Sequence, residues 1–194
     1  MDSKPLSDRY LDPALGGGGL LDMGPYPSVW AMLLLYQHPD NHCTAPSVVN
    51  TYQKRYTKRG CNVDARSRWL LEFPALECEA ALMTDMTCDN LAQAAAVLQC
   101  EDADLVIESP PQKPSTFHVI HHNGKVETHH VPVPPETGHG LHYEADEVAR
   151  CIRDGRTESA RMPLAESRIV QQWFDAVRMD GETALRDMVG TAGQ

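Results

Sequence analysis

No stretch of the chain stays apolar for the roughly 20 residues that a membrane-spanning helix needs. The uncharged run from Met23 to Gln37 has 15 residues and contains Pro25 and Pro27. The opening MDSKPLSDRY has no apolar core of the kind a secretion signal carries, so a cytoplasmic protein without a membrane partner is expected. Cys43, Cys61, Cys78, Cys88, Cys100 and Cys151 include no CxxC pair. They are read as reduced, mostly structural thiols. Basic charge is scarce: 17 Lys and Arg stand against 27 Asp and Glu, a net charge of −10. A nucleic-acid surface needs a basic stripe, so no nucleic-acid partner is expected. Only QKRYTKR, residues 53–59, concentrates cations, and such a run is more often a solvated strand edge than a phosphate site. A nucleotide loop is excluded too. The run Gly16 to Gly19 follows no strand, lacks the spacing of GxGxxG and leads to no GK[ST]. No internal repeat is apparent.

What remains is a chain of 194 residues, 42% hydrophobic, long enough for one sizeable domain. Leu20, Leu21, Met23, Trp30, Leu33 and Leu34 form a broad apolar stripe and predict a helix over 18–37, with the prolines tolerated in its first turn. Strands are predicted in SVVNTYQKRY, RSRWLLEF, ECEAALMTDMT and ADLVIES. NLAQAAAVLQC suits either helix or strand. In STFHVIHHNGKVETHHVPVP, Asn123-Gly124 between alternating runs predicts a type I′ hairpin. YEADEVARCIRDG predicts a helix with Ala145, Val148, Ala149 and Ile152 on one face and Gly155 as its C-terminal stop. PLAESRIVQQWFDAVRMDG predicts another, buried through Ile169, Val170, Trp173, Phe174 and Val177 and ending at Gly181. The order predicts an α+β fold, a mainly antiparallel open sheet with helices packed on one face. Residues 1–15 are expected to be irregular, 16–181 one domain and 182–194 a frayed tail.

Two constellations could carry chemistry. Asp22 and Tyr26 are four residues apart, which places both on one face of a helix. Gly24 between them has no side chain, so another group could approach the backbone there. A tyrosine hydroxyl beside a carboxylate suits proton exchange with a carbinol or carbonyl. The same spacing suits a structural role, with Asp22 complementing a helix dipole and Tyr26 packing. The second constellation is histidine. A two-residue turn at 123–124 sets His118 opposite His129, with His122 and Glu127 on the same face. That leaves a metal site half built, and no bound zinc or copper is expected.

RYLDPALGGGGLLDMGPYPSVWAMLLL resembles the start of the C-terminal domain in the glucose–fructose oxidoreductase/inositol dehydrogenase (Gfo/Idh/MocA) superfamily. The resemblance is nearest to the branch holding NADP-dependent D-xylose 1-dehydrogenase and dimeric dihydrodiol dehydrogenase. It rests on Gly18-Gly19-Leu20-Leu21-Asp22-Met23-Gly24-Pro25-Tyr26-Pro27. Residues 138–178 are similar to the family's closing helices, and RWLLEFPALECEAALMTDM to its central strands. The resemblance implies Tyr26 as the acid/base on a substrate hydroxyl and Asp22 as a positioning carboxylate. It implies that Gly18, Gly19 and Gly24 let the helix start close to a sugar or cyclic-diol substrate. It also implies NADP for the complete family protein and a homodimer through the uncovered sheet face.

The chain departs from the family in two ways. It has no Rossmann fingerprint and no Glu-Lys-Pro segment, so no cofactor is expected to bind these residues alone. Pro25 stands where an aliphatic residue is usual. The expectation is therefore a truncated oxidoreductase-family protein that does not transfer hydride by itself. Two alternatives stay open. One is a non-catalytic partner of a full-length paralogue. The other is a cofactor-free acid–base enzyme, a lyase, isomerase or cyclase.

Overall fold

The computed structural model describes residues 5–88, 94–132, 138 and 140–190, with 181–190 as helical backbone alone. It divides into two compact units, Met1–Asp89 with Arg168–Gln194, and Asn90–Ser167.

The first unit is organised by a three-stranded antiparallel sheet, β1 (Ser47–Tyr56), β2 (Val63–Phe73) and β3 (Cys78–Asp85), with β2 central. Successive side chains of a strand point to opposite faces. In β2 this buries Ser67, Trp69, Leu71 and Phe73 while Arg68 and Glu72 are exposed. Burial of each large apolar side chain contributes about 1.5–3 kcal/mol. One irregularity matters for the site. Lys54 pairs with Arg66 and Arg55 with Asp64, so Ala65 has no opposite number. An extra residue of this kind shifts the alternation. Asp64 thereby meets Ser67, whose Oγ donates to its Oδ2 at 3.0 Å.

The helix expected over 18–37 forms in pieces: α1 (Gly19–Met23), α2 (Pro25–Ala31) and a π-helical turn, Met32–Tyr36. Pro25 and Pro27 have no N–H to offer the carbonyls of Leu21 and Met23. Pro25 instead opens a new segment, a position that its ring suits. Gly24 keeps helical dihedrals (φ −57°, ψ −33°), and its N–H reaches the Leu20 carbonyl at 2.8 Å. α4 (Leu164–Gly190) supplies the unit's last apolar stripe, burying Trp173, Phe174 and Val177 as expected. It does not stop at Gly181. A glycine within a helix costs about 1 kcal/mol relative to alanine but does not forbid the next turn.

The second unit holds a meander of four antiparallel strands in sequence order, β4 (Ala94–Gln99), β5 (Ala103–Glu108), β6 (Thr116–His121) and β7 (Val126–His130), and then α3 (Leu141–Arg153). The α+β class and antiparallel open sheets are as expected, but the strands are shared between two sheets. The ambiguous segment is strand from Ala94 onward. Its residues 90–93 lie outside the described residues.

Two expectations are corrected here. The β6–β7 hairpin pairs His118 with Thr128 and Phe117 with His129. Gly124 N–H bonds the His121 carbonyl at 2.9 Å, and Gly124 alone of the turn has positive φ, +90°. This is a three-residue loop and not type I′, which needs positive φ at both central residues. The one-residue slip puts His118 and His129 on opposite faces. In α3, Val148 is 57% and Ile152 73% exposed, and the inward residue is Cys151. Glu147, one turn before it, accepts from Ser159 Oγ at 2.8 Å, while the Arg156 N–H bonds the Cys151 carbonyl at 2.8 Å. These contacts with the following loop turn the polar face inward and leave Ala145, Val148, Ala149 and Ile152 outside.

Candidate functional site

The segment ahead of the glycines folds back through short-range side-chain bonds. Asp8 Oδ1 accepts from the Tyr10 N–H at 3.0 Å, and Asp12 Oδ1 from the Ala14 N–H at 2.9 Å. Gly17 N–H then bonds the Asp12 carbonyl at 2.9 Å, and Gly18 N–H the Tyr10 carbonyl at 3.0 Å. Aspartates commonly bend a chain this way by satisfying a backbone N–H two residues on.

The fold-back brings Arg9 onto Asp22, Nη1 to Oδ1 at 2.6 Å. Arg9 Nη2 also donates to the Tyr10 hydroxyl at 2.7 Å. The bond to Asp22 is the main reason that the Arg9 guanidinium holds its proton even more firmly than usual. A charge-assisted bond of this kind fixes orientation. It leaves Asp22 engaged and about a quarter exposed. Tyr26, four positions on, is 41% exposed, and its hydroxyl has no hydrogen-bond partner among the described residues. Both lie along the same helical path, and of the two only Tyr26 is left without a polar partner among the described residues. Arg9 was not evident from sequence. The Asp8 and Asp12 turns were the only signal that could have suggested it.

A second feature missed from sequence is Asp64, buried to 7% exposure. The residue before α1 is Gly18, which has no capping side chain. Asp64 caps the helix from 44 positions away, its Oδ2 accepting from the Leu20 N–H at 2.7 Å. Gln53 Nε2 donates to Ser67 Oγ at 3.1 Å, so Gln53, Ser67 and Asp64 form a buried chain ending at the helix. Gly18 has φ +117° and ψ 175°, a conformation essentially confined to glycine. A side chain there would also strike the Asp64 carboxylate, its Cβ coming within 2.9 Å of Cγ. At Gly24 a Cβ would sit 2.9 Å from Cζ of Phe174. At Gly19 it would meet Met86 at 3.0 Å. The close approach foreseen at Gly24 is thus made by a side chain of this chain's own α4. A recess of about 230 Å³ lies beside the glycines, walled in part by Gly16, Gly17, Leu21, Gln53, Asp64 and Arg178. Neither Asp22 nor Tyr26 is part of its wall.

The histidines are divided between two faces of the hairpin, with His121 and His129 both against Glu127, His129 Nε2 lying 3.8 Å from its Oε2. His118 lies 2.9 Å from Glu108 and 3.0 Å from Thr128. His121 lies 3.0 Å from Glu127, and His122 3.4 Å from Asp104. His129 stacks on Phe117 with centroids 4.7 Å apart. Hydrogen bonds from Lys125 and then His121 hold Glu127 down at about 2. Among the described residues, no three His, Cys, Asp or Glu are grouped to hold a metal ion. Nor is any helix among them long and apolar enough to cross a membrane.

No family model matches the chain. D-xylose 1-dehydrogenase (NADP(+)) of Hypocrea jecorina is 29% identical over 195 residues, covering 95% of this chain and 49% of that enzyme. The resemblance to the dehydrogenase branch is thereby shown. Trans-1,2-dihydrobenzene-1,2-diol dehydrogenases agree with it. The enzyme of Oryctolagus cuniculus is 27% identical over 189 residues, and that of Homo sapiens 28% over 180, each covering 88% of this chain. The chain spans about half the length of the curated relatives it matches. That proportion is consistent with likeness to a single domain of such dehydrogenases.

Proposed function

We propose that these 194 residues form the substrate side of an NADP-dependent dehydrogenase-like protein acting on a sugar or cyclic diol, and that alone they transfer no hydride. The observation that carries this reading is the near-complete coverage of the chain by about half of an NADP-dependent sugar dehydrogenase. The local geometry supports a division of labour. Tyr26 exchanges a proton with the reacting hydroxyl. Asp22, oriented by Arg9, positions the substrate, and Gly18, Gly19 and Gly24 seat the helix closely on Asp64, Met86 and Phe174 so that Asp22 and Tyr26 face outward beside it. NADP belongs to the complete dehydrogenase. Nothing among the described residues forms a phosphate loop of the dinucleotide type, and hydride transfer requires the nicotinamide held at near-attack distance.

Residues 16–181 act in this reading as one substrate and oligomerisation domain, paired as a homodimer through a sheet face. Val97, Ile120 and Val126 share one face of the second sheet by register and are 55%, 37% and 57% exposed, which favours such pairing.

Calorimetric titration of NADPH into the 194-residue chain should show no micromolar binding. Fusion behind the cofactor-binding domain of a D-xylose 1-dehydrogenase should give dehydrogenase activity that Tyr26→Phe abolishes. Micromolar NADPH binding by the chain itself, or full activity of the Tyr26→Phe fusion, would overturn the proposal.

A further inference from the structure

The face of the second sheet that bears Val97, Ile120 and Val126 is not purely apolar. By register, Val97, Val106, His118 and Thr128 form one row across the four strands, and Gln99, Asp104, Ile120 and Val126 the next. Glu108 on β5 and the pair Thr116 and His130 continue the same face by alternation. Two histidines there stand against carboxylates. His118 Nε2 lies 2.9 Å from Glu108 Oε1, and His122, just past β6, reaches Asp104 Oδ1 at 3.4 Å. His130 Nδ1 lies 3.2 Å from the Thr116 hydroxyl. Asp104, Glu108, His118, His122 and His130 are the titratable groups of this face among the described residues. Lys125, His121 and His129 gather on Glu127, on the other face.

Histidine is the side chain that ordinarily exchanges its proton between about pH 5 and pH 8. While the imidazoles are neutral, Glu108 and Asp104 leave the face negative, and a second copy meeting it two-fold brings the same charges against them. Burying a carboxylate without a counter-charge is costly. One proton on each histidine–carboxylate pair cancels its charge, whichever partner holds the proton. The face then sets positive groups beside negative ones among its valines and isoleucine, and is complementary to its own copy. We propose that the chain pairs with a second copy through this face by taking up protons from solvent at the His118–Glu108 and His122–Asp104 pairs, so that pairing tightens as pH falls. This rests on the homodimer reading above.

Sedimentation equilibrium of the full 194-residue chain between about pH 8 and about pH 6 tests it, in about 0.3 M salt, which screens the general repulsion of chains with net charge −10. Each proton bound on association changes the constant by up to about tenfold per pH unit, so the dimer dissociation constant should fall at least about tenfold over this range. Glu108→Gln with Asp104→Asn should pair at pH 8 about as tightly as the unaltered chain at pH 6 and lose the pH dependence. Glu127→Gln, on the other face, should keep it. Ile120→Glu should give a monomer with unchanged circular dichroism. A dimer with a constant flat across pH, or a pH dependence that survives Glu108→Gln with Asp104→Asn, would overturn the proton uptake and leave the pairing standing. A chain monomeric at every pH, or a dimer untouched by Ile120→Glu, would overturn the pairing through this face and the uptake with it.

Discussion

Gly18 and Asp64 should be coupled energetically, because the glycine makes room for the carboxylate that caps α1. Gly18→Ala forces an alanine into φ +117°, ψ 175°. That strain costs about 1–3 kcal/mol. The new methyl also displaces the Asp64 carboxylate from the Leu20 N–H, which it now holds at 2.7 Å. Losing a helix cap costs about 1–2 kcal/mol. Gly18→Ala should therefore destabilise the first unit by about 3–4 kcal/mol. Asp64→Ala should cost about 3 kcal/mol, because it removes the cap and strands the buried Ser67 hydroxyl. In the double variant the collision is gone and the cap is lost only once. The combined loss should fall short of the sum by about 1–2 kcal/mol. Urea unfolding followed by tryptophan emission reads this directly, since Trp30, Trp69 and Trp173 all lie in the first unit. Additivity within about 0.5 kcal/mol would refute the coupling.

Gly24→Val should destabilise by at least about 2–3 kcal/mol, because a Cβ there meets the Leu20 carbonyl as well as the Phe174 ring, and Phe174→Leu should recover only the smaller part of that loss in thermal melts. Arg9→Gln should leave the urea midpoint of the chain itself nearly unchanged, because its side chain is largely exposed and its ion pair is screened; an active fusion protein bearing it should show a raised KM. Asp85 supplies an acid-sensitive contribution. Burial alone would raise its pKa, but bonds from Thr87 and Arg66 outweigh burial and bring it to about 2 from the ordinary 3.8. A carboxylate with a depressed folded pKa stabilises above its unfolded value, and that stability is lost as pH falls through the folded one. Stability should drop between pH 4 and pH 2, and Asp85→Asn should flatten that limb of the urea-midpoint profile against pH.

Strand identity was legible along the chain because alternation is a local property. β1 occupies the ten residues SVVNTYQKRY, and β2 carries its buried face on every second residue from Ser67 to Phe73. The apolar stripe of α4 through Trp173, Phe174 and Val177 was legible for the same reason. The likeness to the dehydrogenases was legible in the sequence as well. What depended on remote contacts was not. Helical periodicity shows which stripe of α3 is apolar, but not whether a surface waits to cover it, and Ile152 stands exposed. Asn-Gly is compatible with loops of two or three residues. Here Asn123 Oδ1 accepts from the Lys125 N–H at 3.0 Å while Gly124 alone takes the left-handed turn, and the histidine faces separate.

By itself, then, the sequence determined the α+β class, the antiparallel strands, the closing helix and the dehydrogenase likeness. Each of these is carried by neighbouring residues or by a contiguous signature. The tertiary structure decided the hairpin register, the Arg9 bond to Asp22 and the capping of α1 by Asp64. The reason is physical: a side chain's partner across 13 or 44 positions is chosen by how bulges, turns and close-packed glycines aim the backbone. No local pattern of residues encodes that aim.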